Sequence, residues 1–114
     1  MSHLEQIKNY NTRRALPIWG KTAMLVIDMQ HYFHGLLAPI LDNVLSLIAA
    51  CRSSQLKIVF TRHGVHDPQN DGGMLTTWWD DLIVHGSEAW QLDKKLKPHP
   101  SELIIDKNRY SAYL

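Results

Sequence analysis

Three short apolar runs divide the chain and predict the strands of a β-sheet. The first run, Ala23–Ile27, is continuous and is bounded by Lys21 and Asp28, a pattern typical of a strand that is buried on both faces of a parallel sheet. The second run covers residues 56–61 and the third covers residues 103–105. Together the runs predict three parallel strands in an α/β domain.

An amphipathic helix is predicted between the first two runs. Pro39 suits the first position of a helix, because the N–H that proline lacks has no partner there in any case. The apolar residues that follow recur at spacings of four, three, one and three: Ile40, Val44, Leu47, Ile48 and Cys51. Strand, helix and strand then form one βαβ unit, which is right-handed in nearly all proteins.

The remaining segments have weaker patterns. Residues 1–21 show no sustained period and predict an N-terminal arm, which leaves residues 22–114 as the domain portion. Residues 62–86 are rich in His, Asp, Asn and Gly and predict a long loop over the strand ends, and loops of this length usually have a function. Ser87 is placed to cap a short helix that ends near Leu96, with acidic and basic residues at the ends where the helix dipole favours them.

Composition excludes several classes of protein. Apolar residues make up 45% of the 114 residues and charged residues 20%, as in an ordinary globular domain. The net charge is +1 and the basic residues are scattered, so no nucleic-acid partner is expected. No apolar run reaches the length of a membrane span, and no signal peptide is visible, so we expect no membrane partner and a cytoplasmic location. The single cysteine, Cys51, excludes an internal disulfide framework.

Charged residues follow the first and third apolar runs. Asp28 closes the first run and Lys107 follows the third, and parallel strands bring such residues to one edge of the sheet, where α/β proteins bind ligands. A carboxylate beside a lysine is suited to proton transfer, and the ammonium favours negative charge that develops on a substrate. A structural ion pair at the strand ends is the alternative reading, and these residues alone do not separate the two.

Large aromatic residues in the loops predict a wall for a flat, ring-shaped substrate. Phe33, Trp78 and Trp79 lie at the expected ligand edge, and Tyr110 follows Lys107 by three residues. We therefore predict that these four side chains bind substrate. A dimer contact or a cluster that anchors the loops is the alternative.

Several histidines raise the question of a metal or further contacts to substrate. His63, His66 and Asp67 form a His-x-x-His-Asp group, but loop polarity explains it more simply, and we predict no metal and no cofactor. His31 and His34 flank two aromatic residues near Asp28, and solvated loop histidines are the favoured interpretation.

The ordered motifs of the chain resemble those of the isochorismatase-like hydrolases, a superfamily that includes isochorismatases, nicotinamidases and other cysteine hydrolases. The match extends from about Thr22 to the C-terminus. It rests on Leu25-Val26-Ile27-Asp28-Met29-Gln30, Phe60-Thr61-Arg62-His63, Gly73-Met74-Leu75 with Trp78-Trp79, Glu88-Ala89-Trp90-Gln91-Leu92-Asp93 and Lys107-Asn108-Arg109-Tyr110-Ser111-Ala112-Tyr113.

The resemblance implies a three-layer, Rossmann-like α/β fold with helices on both faces of a parallel sheet, of which this chain carries the first three strands. It also implies a catalytic triad of Asp, Lys and Cys, in which Asp28 and Lys107 match the first two members. The family's cysteine follows a fourth strand, so we expect the chain to be the N-terminal portion of such a hydrolase and to lack the nucleophile. Cys51 lies on the apolar stripe of the predicted helix and is expected to be a buried structural thiol.

Three roles remain open after this comparison. An amidase of the nicotinamidase type would need the absent cysteine, whereas vinyl-ether hydrolysis of the isochorismatase type can use the aspartate as the acid, and the sequence of residues 109–112 favours it. A catalytically silent portion or association module is the third, because the family's strand order leaves Ala23–Ile27 as an open edge. A small-molecule substrate and a second copy of the chain are the expected partners.

The strand order of the family also separates the first and third strands by about 9.6 Å. An ion pair between Asp28 and Lys107 therefore requires the lysine side chain to reach across the second strand.

Overall fold

A three-stranded parallel sheet organises the protein. The computed structural model describes residues 2–10, 16–79 and 81–113. The strands are β1 (Ala23–Ile27), β2 (Lys57–His63) and β3 (Leu103–Lys107), in the order β1-β2-β3. Ile27 pairs with Thr61, and His63 pairs with Lys107. The predicted parallel α/β sheet is therefore confirmed, and β1 and β3 flank β2 as expected.

The helix between β1 and β2 begins earlier than predicted. A 3-10 turn over His31–Phe33 leads directly into helix α2 (His34–Ser53), so the start at Pro39 was wrong. Pro39 lies in the second turn of α2, where its missing N–H leaves the Gly35 carbonyl without its usual helical partner. The 3-10 turn before α2 initiates the helix. The spacing of apolar residues after Pro39 does not reveal this earlier start.

The core lies between α2 and one face of the sheet. Phe60 and Val26 are almost fully buried at the centre of the sheet, and Cys51 is buried as predicted. Burial of each such side chain contributes about 1.5–3 kcal/mol to folding. The buried residues of this cluster are Val26, Met29, Leu37, Leu41, Ile48, Cys51, Ile58, Phe60, Leu92 and Leu96.

The opposite face of β1 is open, contrary to the prediction of a strand buried on both faces. Leu25 and Ile27 alternate with the buried Val26, and each is 61% exposed. In the described residues, α2 is the one long helix that packs against the sheet, and it covers the Val26 face. Within the described sheet β1 also pairs only with β2, so its other edge is unpaired.

Between β2 and β3 the chain forms turns and two short helices. The predicted loop contains helix α3 (Pro68–Asp71), which Asp67 caps by accepting a hydrogen bond from the Gln69 amide, and helix α4 (Met74–Trp78). The predicted helix from Ser87 to Leu96 was wrong, because this segment consists of turns.

Long-range hydrogen bonds explain why residues 87–96 are not helical. The amides of His31 and Tyr32 donate to the carbonyls of Gln91 and Ala89, and Gln30 forms an antiparallel bridge with Leu92. Backbone groups that a helix would pair locally are thus paired with the turn that follows β1. The segment is thereby held against the end of β1 where Asp28 lies.

The N-terminal residues add little to the core. A single-turn helix α1 (His3–Gln6) carries a capping box between Ser2 and Glu5, and none of its residues is buried. The predicted arm over residues 1–21 includes residues 1 and 11–15, which lie outside the described residues.

By length and composition alone, the stretch His31–Ser53 is apolar enough to cross a membrane. Four of its side chains pack into the core, and the stretch connects two strands of one parallel sheet. Core helices of globular proteins commonly pass the same test of length and composition.

Candidate active site

Asp28 stands at the carboxyl end of β1 in an unusual backbone conformation. Its φ of 51° lies in the left-handed region, which aspartate tolerates better than most residues. Its Oδ1 accepts a hydrogen bond of 2.7 Å from Thr61 Oγ1, and its amide donates to the carbonyl and hydroxyl oxygens of Thr61, each at 3.1 Å. The left-handed turn therefore fixes the carboxylate above the end of β2.

Lys107 at the end of β3 meets this carboxylate. Its Nζ lies 2.9 Å from Asp28 Oδ2 and donates a 3.1 Å hydrogen bond to the carbonyl of Arg109. The Lys107 side chain is 7% exposed and that of Asp28 is 23% exposed. The lysine thus reaches across β2, and the structure brings together the two predicted catalytic residues.

His63 completes a group of three polar side chains at this edge. Burial lowers the pKa of His63, and the charge of Lys107 lowers it further, while Asp28 and the Arg109 carbonyl act in the opposite direction. The lowered pKa favours the neutral form of the ring. Its Nδ1 is buried, and no described residue pairs with it. Sequence reasoning had placed His63 in a loop, whereas it is the last residue of β2, in register with Lys107.

A buried glutamine holds these segments together, and sequence reasoning missed its role. Gln30 is fully buried, and its Nε2 donates to the carbonyls of His63 and Trp90, each at 2.8 Å. Its Oε1 accepts from the His63 amide, also at 2.8 Å. Gln30 therefore fixes the end of β2 beside Asp28. The signal was its position two residues after Asp28, directly beyond the first apolar run.

A cavity of about 160 Å³ lies over the Asp28–Lys107 pair. It is smaller than the roughly 300–1,000 Å³ of typical ligand pockets, and most of its lining surface is apolar. The lining residues are Asp28, Tyr32, Phe33, His63, Leu75, Trp79, Asp81, Leu82, Ile83, Lys107 and Tyr110.

Three of the four aromatic residues predicted to bind substrate line this cavity. Phe33, Trp79 and Tyr110 do so, and the indole Nε1 of Trp79 donates a 3.2 Å hydrogen bond to the hydroxyl of Tyr110. Trp78 ends α4, is 60% exposed and does not belong to the lining. The structure therefore separates two tryptophans that are adjacent in the sequence.

The other histidines lie outside the cavity. His34 Nδ1 is 2.9 Å from a carboxylate oxygen of Asp93, which is buried. His31 Nε2 is 3.8 Å from Glu88. In residues 2–10, 16–79 and 81–113, no group of three or more His, Cys, Asp or Glu side chains is arranged to hold a metal ion.

A stack of rings holds the loop that follows β2. His66 and His85 stack at 4.1 Å between ring centroids, and His85 lies 4.3 Å from the ring of Trp90. The guanidinium carbon of Arg62 lies 3.7 Å from the centroid of the Trp90 ring. The same guanidinium donates to both carboxylate oxygens of Asp106. Trp90 is buried beneath these groups.

Cys51 is remote from the cavity. It lies near the C-terminal end of α2, and the Leu56 amide that leads into β2 donates to its carbonyl. This is the end of the sheet opposite to Asp28 and Lys107. Cys51 is therefore not positioned to attack a substrate in the cavity.

A second, larger cavity of about 590 Å³ lies at that opposite end, where β2 and β3 begin. Arg52 binds both carboxylate oxygens of Glu102 at 2.9 and 2.7 Å and also donates to the Lys97 carbonyl. Hydrogen bonding from Arg52 lowers the pKa of Glu102 to about 2. These charged groups are already paired with one another.

Comparison with known proteins identifies the family of the chain. The isochorismatase domain model matches residues 22–114. Nicotinamidase 3 of Arabidopsis thaliana is 37% identical over 110 residues, which cover 93% of this chain and 54% of that protein. The ureidoacrylate amidohydrolase RutB of Pseudomonas savastanoi is 26% identical, and the match covers 82% of this chain and 51% of the relative.

A solved structure has the same fold. The crystal structure of a cysteine hydrolase from Pseudomonas syringae aligns with a TM-score of 0.78 at 26% identity, over 88% of this chain and 52% of that one. The chain thus spans about half the length of the curated relatives that it matches. On the match to residues 22–114 and the shared parallel fold, the chain belongs to the isochorismatase-like hydrolase superfamily.

Proposed function

We propose that the chain carries the Asp28–Lys107 part of a hydrolase site that acts on a small, ring-containing metabolite, at an amide C–N bond or a vinyl ether. The observation that carries the proposal is the 2.9 Å ion pair beneath an aromatic-lined cavity at the carboxyl edge of the sheet. This edge is where open α/β sheets bind ligands. Membership of the superfamily supports the reaction class.

The two charged groups divide the chemistry. Asp28 accepts a proton from the attacking group or gives one to the leaving group. The hydrogen bond from Thr61 to Oδ1 fixes the orientation of the Asp28 carboxylate for this transfer. Lys107 stabilises negative charge that develops on the substrate oxygen. The aromatic side chains of Phe33 and Trp79 enclose the ring of the substrate.

The nucleophile distinguishes the two reactions. Amide hydrolysis by the route that the resemblance implies needs a thiolate, and the one cysteine of this sequence, Cys51, is buried at the other end of the sheet. Vinyl-ether hydrolysis needs no thiolate: Asp28 in its protonated form would give a proton to the vinyl carbon, water would add to the resulting cation, and the C–O bond would break to give a ketone and an alcohol. The amidase role of this chain therefore depends on a nucleophile that Cys51 does not supply.

Turnover of nicotinamide and of isochorismate by the purified chain tests this proposal. We compare wild type with Asp28→Asn, and Cys51→Ala serves as the control because that thiol lies outside the cavity. We expect hydrolysis of at least one of the two substrates, which Asp28→Asn abolishes and Cys51→Ala leaves unchanged. Equal rates in wild type and Asp28→Asn would contradict the assignment of Asp28.

A second candidate function is that of an association module. The exposed side chains of Leu25 and Ile27 and the unpaired edge of β1 form an apolar surface that proteins rarely leave open. The relatives are about twice as long as the stretch that matches, which supports a polypeptide partner on this surface. Light scattering after size exclusion tests it, and a stable monomer would count against it.

The same proposal includes the partners and location expected from the sequence. We infer a small-molecule substrate, a homo-oligomer and a cytoplasmic location, without nucleic-acid or membrane partners. The scattered charge and the core-facing residues of α2 support these inferences. Sedimentation of the chain with and without liposomes tests the membrane part, and sedimentation with the vesicles would contradict it.

A further inference from the structure

The charges that line the cavity do not balance. Asp28 and Lys107 neutralise one another at 2.9 Å. The remaining charged group in the lining is the carboxylate of Asp81, since the lowered pKa of His63 keeps that ring neutral. The lining described for this cavity therefore carries one net negative charge.

Asp81 lies at the exposed rim of the cavity. Hydrogen bonding to the Asp81 carboxylate and the charge of that carboxylate raise the pKa of Tyr32. Of the cations in the described part of the chain, none lies within ion-pairing distance of Asp81. Its charge thus faces whatever enters the cavity.

The basic residues near this edge are engaged elsewhere. Arg62 binds both oxygens of Asp106 and covers Trp90. Arg109 bonds to its neighbour Asn108 and does not belong to the lining. The sequence around Arg109 had favoured an isochorismatase, whose substrate carries two carboxylates, but the cavity offers these anions no free cation among its lining residues.

We propose that Asp81 determines the charge specificity of the cavity, so that it accepts uncharged ring compounds such as carboxamides and disfavours the corresponding carboxylates. This inference rests on the proposed function and names its substrate class. Hydrolysis of a carboxamide by water yields a carboxylate and an ammonium ion. The product of an amidase reaction would therefore be repelled by Asp81, and this repulsion would speed its release.

Binding of a matched pair of ligands tests the inference without any need for turnover. Nicotinamide and nicotinate share a ring and differ in charge, and NMR titration of the full chain gives both dissociation constants. For wild type we expect nicotinamide to bind about fivefold more tightly, the size of effect that one exposed charge produces. In Asp81→Asn we expect the two dissociation constants to become equal, and added salt should reduce the wild-type ratio.

Two further variants separate the local charge from other effects. Asp42→Asn removes the same charge from an exposed position on α2 and should leave the ratio unchanged. Tyr32→Phe removes the hydrogen bond to Asp81 but retains its charge, so it should also keep the preference for nicotinamide.

The outcomes distinguish this inference from the proposed function. Equal binding of both ligands to wild type, an unchanged ratio in Asp81→Asn, or an equal change in Asp42→Asn would overturn the role of Asp81. Loss of the ratio in Asp81→Asn without any turnover of nicotinamide or isochorismate would support that role and contradict the hydrolase. Failure of folded wild type to bind either ligand would overturn the role of Asp81, whereas the proposed function would still be decided by turnover of isochorismate.

Discussion

The two ends of the sheet each hold a partly buried ion pair beside a cavity. They differ in which polar groups near the pair remain without a hydrogen-bond partner. At the start of the strands, Arg52 and Glu102 bind each other through two hydrogen bonds beside a cavity of about 590 Å³. At the carboxyl ends, Asp28 and Lys107 make a single contact beside a cavity of about 160 Å³.

The smaller cavity has the features of a functional site. Asp28 has a left-handed backbone, and the Nδ1 of the neighbouring His63 has no partner among the described residues. Such strain and unsatisfied polar groups cluster at sites that bind ligands. Cavity volume alone would favour the other end of the sheet, but the charged groups at the larger cavity already satisfy one another.

The largest effect is expected from removing the cation at the carboxyl end. Lys107→Met leaves the Asp28 carboxylate without its partner, so we expect the free energy of unfolding to fall by about 3 kcal/mol and any hydrolysis to be lost. Denaturant titration measures the first effect. Lys57→Met, at the exposed start of β2 beside the larger cavity, is the control and should change stability by less than about 0.5 kcal/mol. Equal losses in both variants would remove the distinction between the two ends.

Acid should weaken the Arg52–Glu102 ion pair at the start of the strands. The folded-state pKa of Glu102 is about 2, below its ordinary value of 4.5, so its stabilisation is full above pH 4.5 and is lost as the pH falls towards 2. We expect a loss of about 2 kcal/mol from this group over that range. Glu102→Gln should be less stable at pH 6 and should show a shallower pH dependence. Parallel curves for wild type and variant would show that the pair does not stabilise the fold.

A smaller effect is expected at Thr61, which binds the carboxylate of Asp28. Thr61→Val keeps the shape of the side chain and removes the hydroxyl, and we expect a loss of about 1 kcal/mol in stability. Thr61→Ser retains the hydroxyl and should restore the hydrogen bond, with a smaller loss from the missing methyl group. Thermal denaturation compares them, and a serine variant no better than valine would contradict the role of the hydroxyl.

The smallest effect separates two neighbouring tryptophans. Trp79 lines the cavity and Trp78 does not. We expect Trp79→Ala to weaken nicotinamide binding about fivefold, because a stacked ring contributes about 1 kcal/mol. Trp78→Ala should leave the dissociation constant unchanged. The reverse order in a fluorescence or NMR titration would place the ligand elsewhere.

The sequence predicted the elements whose signals are local or follow from sheet geometry. Continuous apolar runs identified β1, β2 and β3, and parallel strands necessarily bring Asp28 and Lys107 to one edge. The sequence did not show whether Asp28 and Lys107 form an ion pair, because the pair depends on the lysine side chain reaching over β2. The left-handed turn at Asp28, which no residue pattern revealed, brings the carboxylate within its reach.

The features that were missed depend on long-range contacts. The segment from Ser87 to Leu96 has a good helix cap and charges to match, but its backbone pairs with residues 30–32 instead. The role of Gln30 has the same origin, since its three hydrogen bonds join it to His63 and Trp90, which are distant in the chain. Exposure of Leu25 could not be predicted either, because an apolar strand has the same composition whether or not its second face is covered.

One measurement tests the central claim most directly, namely that the carboxyl edge of the sheet is the functional site. Nicotinamide is titrated into the ¹⁵N-labelled chain, and the shifts of backbone and indole resonances are mapped. We predict that the largest shifts occur at Thr61, His63 and the indole of Trp79, around the Asp28–Lys107 pair. Shifts confined to Lys57 and Leu103, around the larger cavity, would contradict the account.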